Sequence, residues 1–266
     1  MRFLFWNMGR NDSSKLLAEM LVSYQCDIAL LCEYPSSQSQ FVDSIQQACP
    51  TYRQVKQPNS RLICLTKLPA GYIKTVGDYD RYSFWSVSNG SSKITLGGVH
   101  LASGLHQSIE DRNILAKRLR RDLDTTEEDA NHDRTVIVGD FNLNPYDDSI
   151  VSSDALHAIS SFSEAKRGSR TVQGESSKFF YNPMWSLLGD RSKGPPGTYF
   201  WKQSSPTGFG WQMIDQVIFR PSVLESFRDF EVDILTTAGD NSLLGKNGRP
   251  KRSTSDHLPL FFEFKA

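Results

Sequence analysis

Two hydrophobic periods alternate along the first hundred residues. "RFLFWN" and "DIALLC" are short apolar runs that predict strands. Between them Leu16, Leu17, Met20, Leu21 and Tyr24 recur at helical spacing, behind Asn11, Asp12 and Ser13 as cap candidates. Phe41, Val42, Ile45 and Ala48 mark a second helical face. Strand-like runs follow near 61–66, 72–76, 81–87 and 93–99, with turn residues between them. The spacing over 105–121 predicts a helix with Leu105, Ile109, Leu115 and Leu119 inward. Arg112, Lys117, Arg118, Arg120 and Arg121 then form a solvated face.

The stretch "DLDTTEEDANHD" reads as a loop, and "TVIVGD" as a buried strand. From about 150 to 197 the pattern weakens into Ser, Gly and Pro around "FFYNPMW", which reads as an irregular insertion within a single domain spanning 1–266. Strands resume at 198–202, 212–219, 228–234 and 258–264, and no fixed-period repeat is present. Strands that come both in neighbouring pairs and alternating with helices predict mixed sheets covered by helices, an α+β class.

Composition narrows the function classes. With 30 basic and 30 acidic side chains the formal net charge is zero, which disfavours a nucleic-acid footprint driven by overall charge. Local patches remain open. Lys246, Arg249, Lys251 and Arg252 crowd ahead of an Asp-His pair, either as a solvated loop or as an attractor for an anionic substrate. The four cysteines, Cys26, Cys32, Cys49 and Cys64, form no CxxC and read as free thiols in a reducing cytosol. "MRFLFW" is too short for a secretory signal, and no apolar run approaches the roughly 20 residues of a membrane span. A soluble, cytoplasmic protein without a membrane span is expected.

The candidate chemistry is positional. Asn7 ends "RFLFW", Glu33 ends "IALLC", His100 ends "ITLGGV" and Asp140 ends "TVIVG". Ligands of sheet proteins often bind beyond the strand ends, so these four could share a rim, although each alone is an ordinary first loop residue. In "GDFNLNP", Asp140 and Asn142 are two apart. An extended segment would project both to one side to orient a metal or a water, and the alternative is an Asx turn closing the strand. Asp215 lies inside the apolar run "QMIDQVIF" and needs a partner there, for which His257 of "STSDHLPL" is a candidate. Histidines, carboxylates and an asparagine describe a hard-cation site for Mg²⁺ or Mn²⁺.

In order, "FLFWNMG", "DIALLCE", "GGVHLAS", "VIVGDFNLNP", "MIDQVIF" and "STSDHLPL" resemble the endonuclease/exonuclease/phosphatase family, to which deoxyribonuclease I belongs. The resemblance spans residues 3 to 260. It implies a four-layer α/β/β/α sandwich, with two mixed sheets face to face, helices outside and a divalent-metal site at one end. It implies Glu33 as principal metal ligand with Asn7 and Asp256 close by. Asp140 and Asn142 would orient or deprotonate the attacking water. Asp215 would orient His257, which would bind the scissile phosphate and could also act as general base. His100 matches the histidine-bearing branch, with no acidic partner evident beyond Asp78 and Asp80 upstream.

The implied activity is metal-assisted hydrolysis of a phosphoester by in-line attack of water. A nuclease or nucleotide phosphodiesterase comes first, with Lys251, Arg252 and Asn142 as substrate contacts. The alternative is a phosphatase or phosphodiesterase for a small phosphorylated metabolite or lipid head group. Phe179, Phe180, Tyr181, Trp185, Tyr199 and Trp201 either wall a substrate pocket or pack beneath the insertion.

Overall fold

Two large sheets lie face to face. The computed structural model describes residues 1–35, 37–58, 61–90, 92–103, 108–202 and 209–265. The first sheet has six strands, in the order β16 (Asp229–Ile234), β19 (Leu260–Lys265), β1 (Arg2–Asn7), β2 (Ile28–Cys32), β4 (Leu62–Thr66) and β3 (Arg53–Gln54). The second has seven: β5 (Ile73–Asp78), β6 (Tyr82–Asn89), β7 (Ser92–His100), β8 (Thr135–Asp140), β15 (Asp215–Phe219), β12 (Phe180–Tyr181) and β9 (Ala158–Ile159). Three small hairpins sit outside them: β10 (Ser169–Val172) with β11 (Glu175–Lys178), β13 (Tyr199–Trp201) with β14 (Gly210–Gln212), and β17 (Thr237–Ala238) with β18 (Asn241–Ser242). Both large sheets are mixed. β1 pairs parallel with β2 and β7 parallel with β8, while β19 and β15 run antiparallel to β1 and β8.

The alternation of side chains along each strand builds four layers. Phe3 and Phe5 face inward and pack with Trp85, Leu96, Val136, Val138 and Val217 of the other sheet. Leu4 and Trp6 face outward onto Leu17, Leu21, Phe41 and Ile45. These last belong to α1 (Ser14–Ser23) and α2 (Gln38–Ala48). The outer face of the second sheet, including Phe84, Ile137 and Ile218, is covered by Leu119 and Leu123 of α3 (Ile109–Ala130). This is the α/β/β/α sandwich that the sequence resemblance implied. All four cysteines are free and buried.

The acidic stretch corrects the sequence reading. Residues 122–130 continue α3, and no loop begins before Asn131, whose φ of 54° closes the helix. Leu119 and Leu123 carry the buried row forward, and Glu127 extends it because the buried Arg220 meets it at 2.9 Å. Ser108 and Asp111 form a capping box that fixes the helix start, and Leu105 lies outside the described residues. Ile109, expected inward, is 64% exposed. It shares the face of Ala116, seven residues on, but belongs to the first turn, ahead of the stretch that packs on the sheet. Arg120 is likewise not a solvated residue: it pairs with Asp124 and donates to the Ala155 and Lys178 carbonyls. Before α1, the Asp12 carboxylate accepts from Ser14 N, while the Ser13 hydroxyl donates across the molecule to the Thr254 carbonyl.

Within 150–197, β9 and β12 extend the second sheet, and Phe179, Phe180 and Tyr181 are core residues. No helix among the described residues is long and apolar enough to cross a membrane.

Candidate active site

Topology brings the strand-end polar residues together. Asn7, Glu33, His100 and Asp140 stand at the C-terminal ends of β1, β2, β7 and β8. Asp215 begins β15 and His257 precedes β19, both antiparallel to those strands, so their N-terminal ends reach the same rim. His100 and Asp140 are register partners, as are Asp140 and Asp215.

The Asp215 carboxylate meets Nδ1 of His257 at 2.8 Å, both side chains being buried. Ligating atoms of Asp140, Asp215 and His257 all lie within 4.8 Å of one another. Asn7 Nδ2 donates to Asp140 Oδ2 at 2.9 Å, and Nε2 of His100 stands 3.3 Å from Glu33 Oε1 and 3.9 Å from Asp140 Oδ2. Glu33 is therefore the acidic neighbour of His100 that the sequence did not identify. Asp78 and Asp80 line the same cavity as His100.

Local backbone fixes these positions. Glu33 and Asn142 adopt φ of 45° and 52°, left-handed conformations that a folded scaffold must enforce. Asn142 thus does not lie in an extended segment beside Asp140. Its backbone N–H donates to Asp140 Oδ1 at 2.9 Å, an Asx turn, and its amide donates to the Leu101 carbonyl. Gly139 allows the close approach of β7, since a Cβ there would stand 2.0 Å from the Val99 carbonyl oxygen.

Charge is unevenly balanced. Burial, reinforced by Asp215, pushes the Asp140 carboxyl up. Burial opposes charge on His257, but Asp215, backed by Asp140 and Asp256, outweighs it and lifts the imidazole to about 10. The hydrogen bond from His100 overcomes burial to hold Glu33 down at about 2. Among the described residues, the buried Asp215 Oδ1 has no hydrogen-bond partner. Two histidines face four carboxylates, those of Glu33, Asp140, Asp215 and Asp256. The orphan oxygen and the surplus of oxygen donors fit a hard divalent cation.

Asp256 stands at the edge of this group, and a Cβ on Gly9 would come within 3.0 Å of its Oδ1. Lys251 and Arg252 are exposed on the preceding loop. Arg252 is near enough to act electrostatically on Tyr199, and among the described residues no contact brings Lys251 to the rim. Sequence reasoning missed Ser255, whose hydroxyl donates to the Asn7 carbonyl and accepts from His257 N. The S-x-H spacing was its only signal. The Tyr199 ring, 4.8 Å from the His257 ring, is the aromatic of the insertion region that faces the site.

The family model described as Endonuclease/Exonuclease/phosphatase family matches residues 4–257. The chain belongs to that family. The solved structure of the human Nocturnin catalytic domain with bound sulfate is similar at a TM-score of 0.59 and 15% identity, over 100% of this chain and 94% of that one. TDP2 of D. rerio, complexed with a single-strand DNA product, gives 0.59 at 17% identity over 99% and 98%. A beta toxin from Staphylococcus aureus gives 0.60 at 13% identity over the full length of both chains. At these identities the likeness establishes the fold. No curated protein matches the chain.

Proposed function

We propose that this family member is a divalent-metal-dependent phosphodiester hydrolase of the nuclease or nucleotide-phosphodiesterase kind. The observation that carries the reading is the convergence of Asn7, Glu33, His100, Asp140, Asp215 and His257 on one rim, from positions 7 to 257 of the chain. Glu33, with Asn7 and Asp256, would hold Mg²⁺ or Mn²⁺, since all three offer oxygen donors. A bound ion of this kind neutralises charge on the phosphoryl and leaving oxygens.

The remaining steps belong to the protein. With Nδ1 committed to Asp215, His257 presents Nε2–H as an imidazolium donor to a phosphate oxygen, a role its raised basicity favours over that of general base. Asp140, oriented by Asn7 and the Asn142 backbone, is the acceptor for the proton of the attacking water. His100 positions Glu33. Asn142 shapes the Asp140 turn and contacts substrate, while Lys251 and Arg252 attract an anionic chain. Four unpaired buried thiols suit a reducing compartment such as the cytoplasm.

Incubation with single-stranded and duplex DNA and RNA, in Mg²⁺, Mn²⁺ or EDTA, tests this. Metal-dependent cleavage is expected, and intact nucleic acid in every combination overturns the nuclease reading. Zero net charge supports a second reading, hydrolysis of a small phosphorylated metabolite or lipid head group. Phosphate release from phosphomonoesters, with nucleic acids left intact, would favour it.

A further inference from the structure

Beside the proposed catalytic rim lies a cavity of about 630 Å³, within the usual size range of small-ligand sites. Arg10, Glu33, Tyr34, Arg61, Tyr79 and His100 contribute to its lining. Since Glu33 and His100 form part of its wall, the cavity adjoins the proposed phosphate position, and a substituent on that phosphate is the group best placed to fill it.

The lining charges are already engaged. Asp80 is held by Arg61 at 3.0 Å and by Arg81 at 3.3 Å. Asp78 accepts from the Ser83 hydroxyl, and Glu33 lies between His100 and Arg10, at 3.3 and 3.8 Å. A second phosphate would therefore meet carboxylates beside every arginine, and a substrate ammonium would meet arginines beside most carboxylates. Two tyrosines supply the apolar surface, and each has aromatic support. Tyr34 stacks on Phe41 at 15° between planes, and Tyr79 packs against Tyr82 and Phe84. Rings held in this way offer contact surface with little further loss of side-chain freedom.

We propose that this cavity is the subsite for one nucleoside of the substrate, with Tyr34 and Tyr79 as its aromatic walls and the Arg61–Asp80 pair as polar partners of base or sugar. The proposal rests on the phosphodiesterase reading above and adds the chemical class of the group held beside the phosphate. A nucleoside fits because its base is planar and the whole is uncharged and rich in donors and acceptors.

The test uses p-nitrophenyl phosphodiesters that share a leaving group. The other substituent is thymidine, linked through its 5′ or its 3′ oxygen, or methyl, or choline. At least one thymidine ester is expected to exceed the methyl ester in kcat/KM, and Tyr79→Leu is expected to reduce that advantage about tenfold, mainly through KM. An unchanged advantage in Tyr79→Leu, or a choline ester preferred over both thymidine esters, overturns the nucleoside assignment while leaving a phosphodiesterase in place. If no ester is hydrolysed with Mg²⁺ or Mn²⁺, the underlying reading fails instead. A metal-free measurement separates the two further. Thymidine 5′-monophosphate titrated in EDTA is expected to shift the ring resonances of Tyr34 and Tyr79. Shifts centred on Tyr199 and Trp201 would place the nucleoside elsewhere.

Discussion

The carboxylate of Asp215 receives Nδ1 of His257 at 2.8 Å across 42 residues of chain, with both side chains buried. The contact fixes the imidazole ring and aims its other nitrogen at the site. It also brings a second carboxylate beside Asp140, its register partner on β8. Asp215→Asn keeps the shape and removes the charge. Loss of kcat by about 10²–10⁴-fold is expected, with little change in KM. Retained folding in the circular dichroism spectrum, together with loss of the low-field Nδ1 proton resonance in NMR, would tie the effect to His257.

Glu33 combines a left-handed backbone with a strongly acidic carboxyl and partial exposure at the rim. If it is the main holder of the cation, adding Mn²⁺ raises the melting temperature of the wild-type protein, because ligand binding favours the folded state. Glu33→Gln should remove both that rise and the metal-dependent activity, while EDTA should leave the variant's melting temperature unmoved. A variant still stabilised by Mn²⁺ would point to a different ligand set.

At the opposite end of β15, Arg220 is almost fully buried. It donates to Glu127 at 2.9 and 3.2 Å, to Asp124 and to the Phe179 carbonyl, and its guanidinium lies 4.0 Å over the Phe180 ring. Arg220→Ala leaves Glu127 buried without its 2.9 Å partner, with the exposed Lys178 and the Asp124-bound Arg120 as nearby cations, and a loss of about 3–5 kcal/mol in urea unfolding is expected. Below the lowered melting point kcat should be unchanged, since among the described residues no contact links Arg220 to the catalytic rim.

His157 is wholly buried as the neutral ring: Arg170 Nε donates to its Nε2, and its Nδ1 faces the Lys178 carbonyl. Burial, with the Arg170 charge beside it, lowers its pKa to about 4. An unfolded chain binds this proton near pH 6.5, so the unfolded state holds more protons between that value and about 4. Stability from this group is therefore present above pH 6.5 and is lost as pH falls toward 4, by up to about 3 kcal/mol. The stability difference between wild type and His157→Gln, followed from pH 7 to 4.5, should shrink by that order. A difference that is flat with pH would contradict the assignment.

The ends of β1, β2, β7 and β8 are legible in the sequence, because apolar runs stopping abruptly at Asn7, Glu33, His100 and Asp140 are local features, whereas β9 and β12 read there as part of an irregular insertion. By itself the sequence also determined the family, through short motifs in a fixed order. It misread 122–130 as a loop. The helix there depends on Glu127 finding Arg220, 93 residues away, and composition alone cannot price a buried acid without its partner.

The remainder follows from how the sheets assemble. Mixed strand directions bring the starts of β15 and β19 to the ends of β1, β2, β7 and β8, which makes Asp215 a neighbour of Asp140 and adds to the upward push that burial gives the Asp140 carboxyl. Packing likewise separates Tyr199, against His257, from Phe179, Phe180 and Tyr181 in the core. Residue type and spacing fix what a side chain can do. Which charges it must share a buried volume with is a property of the assembled sheets.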